Sequence, residues 1–518
     1  MSIMIIGAGL AGMSAALTLA EQGTACTLVS AQASERAQSV MAEGGINAAL
    51  NTMGEDDSVA DHVADTMRGG VFLADPNAVR GLCAGAPAIV EKFYALGVPF
   101  STNQNGIIQR NFGGQKKKRT AFVKSSTGKM LMTALIDEVR KYEVRGLVKR
   151  LPHHRLNTLH IENNTCRGVT VTDTFSGQNI TLSGSVILAC GGMSGLFEGL
   201  TTGTTQNTAE VAALCLEQGV ELANLEMIQY HPTTIGISGK RLLITEAARG
   251  EGGRLFVNRS GKPWYFMEEK YPELKNLMPR DVVSAEMVAV TARDDCEKQV
   301  WLDMTGITKK VWQSRLSDLR AQVMHYLAID PQRQPVPVSP GIHYFMGGIR
   351  TDAAHRTSCK NLYAAGECAC QYHGANRLGG NSLLGAVYGG KTAAQTVLQE
   401  AQSTDPIAPC ADIYTEASPR FRAAVSNILG RYLKILRCES ELLQAQSELN
   451  AQQAAVQNAA EARLLRLAQA TVQSALFRRE SRGAHRRTDY PDTDPACQKQ
   501  TVVNRTNVFY RDIPKETE

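Results

Sequence analysis

The opening of this chain constrains its fold more than any other stretch. An apolar run, Ile3-Met4-Ile5-Ile6, leads into Gly7-Ala8-Gly9-Leu10-Ala11-Gly12. A helical pattern follows from Met13 to Glu21, then Gly23 and a second apolar run, Cys26-Thr27-Leu28-Val29. A bare GxGxxG is a weak signal, but here it lies between a strand and a helix inside one β-turn-α-β unit, which points to a pyrophosphate site. The first Gly permits the tight turn, the second lets backbone approach the phosphates, and the third lets the helix pack on the strand. The helix N-terminus adds its partial positive charge. A doubly wound, Rossmann-like α/β fold is therefore expected. One position departs from the pattern: the second strand ends in Ser30, where Asp or Glu would hold a ribose.

At 518 residues the chain exceeds one typical core, so two or three domains are expected. A charge of +5 is small for this length and does not argue for nucleic acid. No apolar run is long enough to span a bilayer, and the N-terminal apolar run reads as a strand rather than a secretory leader. The 12 cysteines include no Cys-x-x-Cys, so no metal, haem or iron–sulfur set is expected. They read as unpaired thiols of a cytoplasmic protein.

A second glycine-rich stretch spans Met346 to Ala386. It holds Gly347-Gly348, the strand candidate Asn361–Ala365, Gly366-Glu367, and Gly374-Ala375-Asn376-Arg377-Leu378-Gly379-Gly380-Asn381-Ser382-Leu383. Glycine this dense beside a strand lets backbone approach something large and flat. Residues 383–398 read as a helix with Asn381 and Ser382 as possible caps. Arg377 stands among small residues with no acidic neighbour in sequence.

Other motifs lie between these two. Gln38-Ser39-Val40-Met41-Ala42-Glu43-Gly44-Gly45 offers a further close approach of backbone. Residues 58–69 and 77–96 read as amphipathic helices. Phe112-Gly113-Gly114 precedes Lys116-Lys117-Lys118-Arg119, a cluster that reads as a solvated face or an attractor of dianions. Strands are expected at 168–172 and 186–189, the latter leading into Cys190-Gly191-Gly192. Farther on come Gln229-Tyr230-His231-Pro232, Thr245-Glu246-Ala247-Ala248-Arg249, Arg280-Asp281 and His343-Tyr344. Glu246 and Arg249 share a face of any helical turn and can pair. From about Ile413 the composition turns to Ala, Gln, Glu, Leu and Arg, and helices are expected at 421–436, 439–449 and 459–476, as a bundle. Arg479-Glu480-Ser481-Arg482-Gly483-Ala484-His485 follows.

Together these motifs resemble the flavoprotein subunits of the fumarate reductase/succinate dehydrogenase family, with L-aspartate oxidase as a near relative. The likeness runs from residue 3 to about residue 492. It implies a Rossmann-like FAD-binding domain in two parts (1–228 and 345–405), an inserted α+β capping domain (229–344) and a C-terminal helical domain (406–518). It implies that FAD lies against Gly7, Gly9, Ala11, Gly12, Ser30, Ser39, Ala42, Glu43, Gly44, Gly45, Gly191, Gly192, Asn207, Glu367, Ser382 and Leu383. Gln38 occupies the position where respiratory members carry a histidine bonded to the flavin; an amide cannot form that bond, so non-covalent FAD is expected.

The resemblance further implies a four-carbon dicarboxylate, fumarate or succinate, held by His231, Thr245, His343, Arg377 and Phe112. Clamping both carboxylates turns one out of the alkene plane and makes the double bond a better hydride acceptor. Hydride would come from flavin N5 and a proton from Arg280, with Glu246 and Arg249 resupplying it. Arginine is a weak acid, with a reference pKa above about 12, so the proton must be replaced at once. Phe112 stands where L-aspartate oxidases have a carboxylate, which favours a substrate without an amine. The family's Gly-Asp-Gly is read at Gln206-Asn207-Thr208, where Asn207 brings no charge. Electrons would come through a separate iron–sulfur subunit, which would place the protein in the cytoplasm or at the inner face of a membrane.

Overall fold

The computed structural model describes residues 2–400, 405–410 and 413–516. Its centre is a five-stranded parallel sheet in the order Leu362–Ala364, Ser185–Leu188, Ile3–Ile6, Cys26–Ser30, Val148–Pro152. The strand Ile3–Ile6 is buried on both faces, as a continuous apolar run requires in a parallel sheet. Helix Leu10–Glu21 begins three residues earlier than its pattern suggests, because Gly9 already sits in extended backbone as its N-cap. Its small residues let it lie between the sheet and helix Asn381–Glu400: a Cβ on Gly390 would stand 2.0 Å from the Ala11 carbonyl oxygen. At Gly12 an added Cβ would stand 1.8 Å from the Gly7 carbonyl oxygen, so only glycine fits where helix meets strand.

The cap is a six-stranded antiparallel sheet, in the order Lys240–Leu243, Ile228–Ile237, Val336–Phe345, Cys296–Asp303, Arg254–Arg259, Lys262–Trp264. Helix Arg280–Ala292 packs on it, and the cap has a core of its own that includes Leu255, Met287, Trp312 and Val338. The entering strand starts at Ile228 and the leaving strand ends at Phe345.

Three C-terminal helices, Pro419–Tyr432, Glu439–Ala451 and Ala459–Phe477, pack on one another and on helix Glu210–Glu217, within an apolar cluster that extends to Met4, Ile6 and Leu188 of the parallel sheet; the strands His154–Glu162 and Thr165–Asp173 pack against that sheet itself. Residues 401–404, just before the expected boundary at 405/406, lie outside the described residues. Among the described residues no helix is long and apolar enough to cross a membrane.

Two expectations are corrected. Lys116 to Arg119 is not a free basic face: Lys117 pairs with Asp61 at 2.9 Å and Lys118 with Glu55 at 2.6 Å. Arg119 is buried, 2.8 Å from Asp57 and 3.0 Å from Asp65. Nor does Asn381 cap its helix. Its carboxamide accepts from Asn47 Nδ2 at 2.7 Å, lies 3.0 Å from His62 Nε2 and donates to Thr66, tying three segments together.

Candidate active site

Parallel sheet and cap enclose one large cavity, about 350 Å³, that runs from the Gly7 turn to Arg280. Of the residues read from sequence, Gly7, Gly9, Ala11, Ser30, Ser39, Ala42, Glu43, Gly44, Gly45, Gly191, Gly192, Asn207, Glu367, Ser382 and Leu383 line it, as do Phe112, His231, Thr245, Glu246, Arg280, His343 and Arg377. Gly12 and Arg249 do not. Gly12 acts in helix packing, and Arg249 stands behind Glu246.

The cap side carries the charge. Glu246 and Arg249 lie on the turn after strand Lys240–Leu243, and Arg280 opens the helix that follows Pro279. Glu246 Oε2 accepts from Arg280 Nη2 at 2.6 Å and Nε at 3.1 Å. Its Oε1 accepts from Arg249 Nη2 at 3.2 Å and from the Gly113 amide at 3.0 Å. Burial would raise the Glu246 pKa, but Arg280 and Arg249 overcome it and hold the carboxyl near about 2. Arg249 Nη1 then donates to the Asn276 carbonyl at 2.5 Å. An unbroken donor–acceptor chain thus runs from Arg280 to the Asn276 backbone.

Arg377 is buried, and among the described residues no carboxylate pairs with it. Its guanidinium lies 4.4 Å from the Tyr344 ring centroid, and its Nε has no hydrogen-bond partner. Burial, and then the charge of Arg280, lowers its pKa to about 9. A buried, unpaired guanidinium is costly unless an anion completes it. The histidines His231 and His343 meet edge to face at 5.1 Å. Burial, then Arg280, drives both pKa values well below the ordinary imidazole value, so both rings are neutral. His343 Nδ1 is 2.7 Å from Thr202 Oγ1, and His231 Nδ1 faces the main chain of Thr233, which leaves Nε2 of each ring for a ligand. The three guanidinium groups of Arg249, Arg280 and Arg377 against the one ionised carboxylate of Glu246 leave a surplus of two positive charges.

The opposite side is built from backbone. A Cβ on Gly9 would stand a tight 3.3 Å from Ser39 Oγ, so the bare backbone of this turn, which lines the cavity, is what leaves a pyrophosphate room to approach. Ser39 Oγ accepts from the Leu10 amide at 3.2 Å, while Ser30 donates to the Gln32 carbonyl at 2.6 Å. Gln38 Oε1 accepts from the Thr204 amide at 2.7 Å and pins the loop across the cavity. Burial raises the pKa values of Glu43 and Glu367 to about 7.

Three residues escaped the sequence reading. Gln229 is buried; it accepts from Arg280 Nη1 at 3.0 Å and donates to the Arg377 carbonyl at 2.8 Å, coupling the two arginines. Tyr344 supports Arg377 through its ring. The third is Glu210. Asn207 packs over Gly191, but Ala209 has the left-handed backbone (φ 65°) that glycine favours, and Glu210 directly after it lines the cavity. Glu210 accepts from Arg155 at 3.3 Å and Tyr414 at 3.0 Å, and its Oε1 is buried without a partner. A carboxylate thus lines the cavity three residues beyond Asn207. Ala where glycine was sought concealed it.

Comparison with known proteins agrees with this geometry. The family described as FAD binding domain matches residues 2–383, and that described as fumarate reductase flavoprotein C-term matches residues 433–517. The chain belongs to the fumarate reductase/succinate dehydrogenase flavoprotein family of FAD-dependent oxidoreductases. It is 35% identical to a succinate dehydrogenase flavoprotein subunit of Bacillus subtilis, over 98% of this chain and 94% of that one. It is 32% identical to an L-aspartate oxidase of Streptomyces coelicolor, over 98% and 91%. Among solved structures, a quinol-fumarate reductase with menaquinol molecules superposes with a TM-score of 0.88 at 27% identity, covering 100% of this chain and 98% of that one. The residues of the cavity fit FAD: the glycine turn presents bare backbone to it, and Glu210 keeps a buried acceptor free.

Proposed function

We propose that the protein reduces fumarate to succinate with non-covalently bound FAD. When bound, FAD supplies the hydride. The observation that carries this reading is that Arg280 and the unpaired Arg377 both line the cavity, in a buried cluster whose surplus of two positive charges, counting Arg249 behind Glu246, suits a dicarboxylate dianion. Arg377 offers a planar fork to one carboxylate, with neutral His343 beside it. His231 and Thr245 donate to the other, and buried Phe112 keeps water from the reacting carbons. Arg280 delivers the proton. Glu246, 2.6 Å away, takes the place of bulk water as the partner that recharges it, and Arg249 passes the next proton along.

Gln38 supports the direction. Without a covalent link the flavin lacks the raised potential that succinate oxidation needs. Reducing electrons would come from an iron–sulfur partner, at the inner face of a membrane or in the cytoplasm. Two assays test the reading. Acid precipitation should leave yellow supernatant, and dye-linked fumarate reduction should far exceed dye-linked succinate oxidation. Equal rates in both directions, or flavin retained in the pellet, would sink it. The runner-up is L-aspartate oxidase, favoured by the 32% identity to that enzyme; ammonia released from L-aspartate would select it.

A further inference from the structure

The chain just before helix Pro419–Tyr432 reaches back to the wall of the cavity. Ile407 and Cys410 donate their amides to Ser183 Oγ at 2.9 Å and Thr181 Oγ1 at 3.2 Å, so this segment follows the edge strand Asn179–Ser183. That strand shares a three-stranded sheet with His154–Glu162, which carries Arg155. The segment then meets two residues that line the cavity, Arg155 and Glu210. Tyr414 Oη donates to Glu210 Oε2 at 3.0 Å. Glu416 Oε1 lies 3.2 Å from Arg155 Nε, and Arg155 Nη1 donates to Glu210 Oε2 at 3.3 Å. Both bonds to Glu210 thus fall on one oxygen. The other, Oε1, is buried and has no hydrogen-bond partner among the described residues. Burial, then the Glu210 carboxylate, pushes the Tyr414 phenol above its ordinary value, so it stays a donor. Behind Glu210 lies a second void of about 10 Å³, bounded by Ala417, Arg422, Ala460 and Arg463. Glu210 therefore stands between the cavity and the C-terminal helices. Past Glu416 the segment is fixed to those helices. Asn458 Nδ2 donates to the Glu416 carbonyl at 3.2 Å, and Ser418 donates its amide and hydroxyl to Glu461 Oε1 at 3.1 Å and 2.7 Å.

We propose that Tyr414 and Glu416 are positioning residues of the FAD site: they hold one oxygen of Glu210 so that the free one serves the cofactor, and FAD binding and docking of segment 413–418 strengthen each other. The group that Glu210 accepts from is a hydroxyl or an N–H of the cofactor, since a carboxylate only accepts. Linkage makes the effect mutual: the factor that docking adds to FAD affinity is the factor that FAD adds to docking. Nothing in this coupling depends on the substrate held at the cap end.

The test is an FAD titration of the full-length protein, followed by flavin fluorescence. Tyr414→Phe removes one hydroxyl that bonds to a charged group, and the dissociation constant should rise on the order of ten-fold. Glu416→Gln should raise it roughly two- to three-fold, because Glu416 is half-exposed. Hydrogen–deuterium exchange gives the reciprocal readout. FAD should slow exchange of the 413–418 amides about ten-fold in the unmodified protein and hardly at all in Tyr414→Phe. Glu448 joins Arg431 and Tyr432 on the C-terminal helices and touches neither Arg155 nor Glu210. Glu448→Ala should therefore lower the melting temperature and leave FAD affinity unchanged. An unchanged dissociation constant in Tyr414→Phe, exchange of 413–418 indifferent to FAD, or an equal loss of affinity in Glu448→Ala would overturn the proposal.

Discussion

The two ends of the cavity are built by different means. At the cap end, side chains shape the wall: Arg280, Glu246 and Arg249 form a buried chain of charge, and the Nε of buried Arg377 has no partner. At the dinucleotide end, backbone does it: glycines at 7, 9 and 12 set the turn, and hydroxyl and amide side chains such as Ser39 and Gln38 brace loops. A charged end tolerates no exchange of residue type, since each group's partner is left uncompensated when it is lost. A backbone end tolerates exchange wherever φ and space allow it. The contrast sorts mutations into those that stop chemistry and those that only loosen the fold.

The largest effect should follow from Arg280→Gln. Turnover should fall on the order of 10³-fold, the scale of a lost general acid, with FAD content unchanged. Because Glu246 would then face only Arg249, its carboxyl should also lose part of its depression from the ordinary value. Full activity in this variant would remove the charged end's claim to the chemistry. Arg377→Lys should cost on the order of 10²-fold in kcat/KM, because a point charge cannot reproduce a planar fork over the Tyr344 ring. A variant of equal efficiency would show that surplus charge alone, without geometry, holds the dianion.

The same contrast explains what was legible in the sequence. His231, Glu246, Arg280, His343 and Arg377 are rare residue types in fixed surroundings, and the cavity gathers all of them. Glu210 gives no glycine signal, because Ala209 adopts the left-handed conformation before it at a cost. Arg119 was read as surface because a run of basic residues usually is; its partners Asp57 and Asp65 come from a segment over fifty residues earlier. Gln229 gives no local signal, since its role depends on two arginines that only the fold brings together. Side chains that act on ligands are visible one by one; those that act on other side chains are visible only in three dimensions.

A pH experiment sharpens the comparison from the cofactor side. Glu43 and Glu367, both raised to about 7 by burial, stand near the ordinary 4.5 when the chain unfolds. Between these values the folded FAD-free protein keeps protons that the unfolded chain has released. Its stability should therefore fall as pH rises from about 4.5 to about 7, then level off. Their combined contribution is on the order of 2 kcal/mol, given that both side chains keep some contact with solvent. Denaturant melts at several pH values would measure it. Glu43→Gln with Glu367→Gln should flatten the profile, and an unchanged slope would place its origin elsewhere.

The smallest effect is the most specific to the backbone end. Ala209 sits at φ 65°, ψ 4°, directly before the helix Glu210–Glu217. An L-residue there costs about 1–2 kcal/mol, and glycine avoids that cost while losing about 0.5–1 kcal/mol of chain entropy on folding. Ala209→Gly should thus stabilise the FAD-free protein by roughly 0.5–1 kcal/mol, readable as a small rise in melting temperature. It should leave kcat untouched, because no charge moves at the cap end. Glu210→Gln at the next position gives the contrast: the fold should hold, since Arg155 and Tyr414 keep a polar partner, while FAD affinity should drop. If Ala209→Gly instead destabilised the protein, the left-handed turn would not be the strained step between loop and helix, and Glu210 would lose its place as the carboxylate that this turn presents.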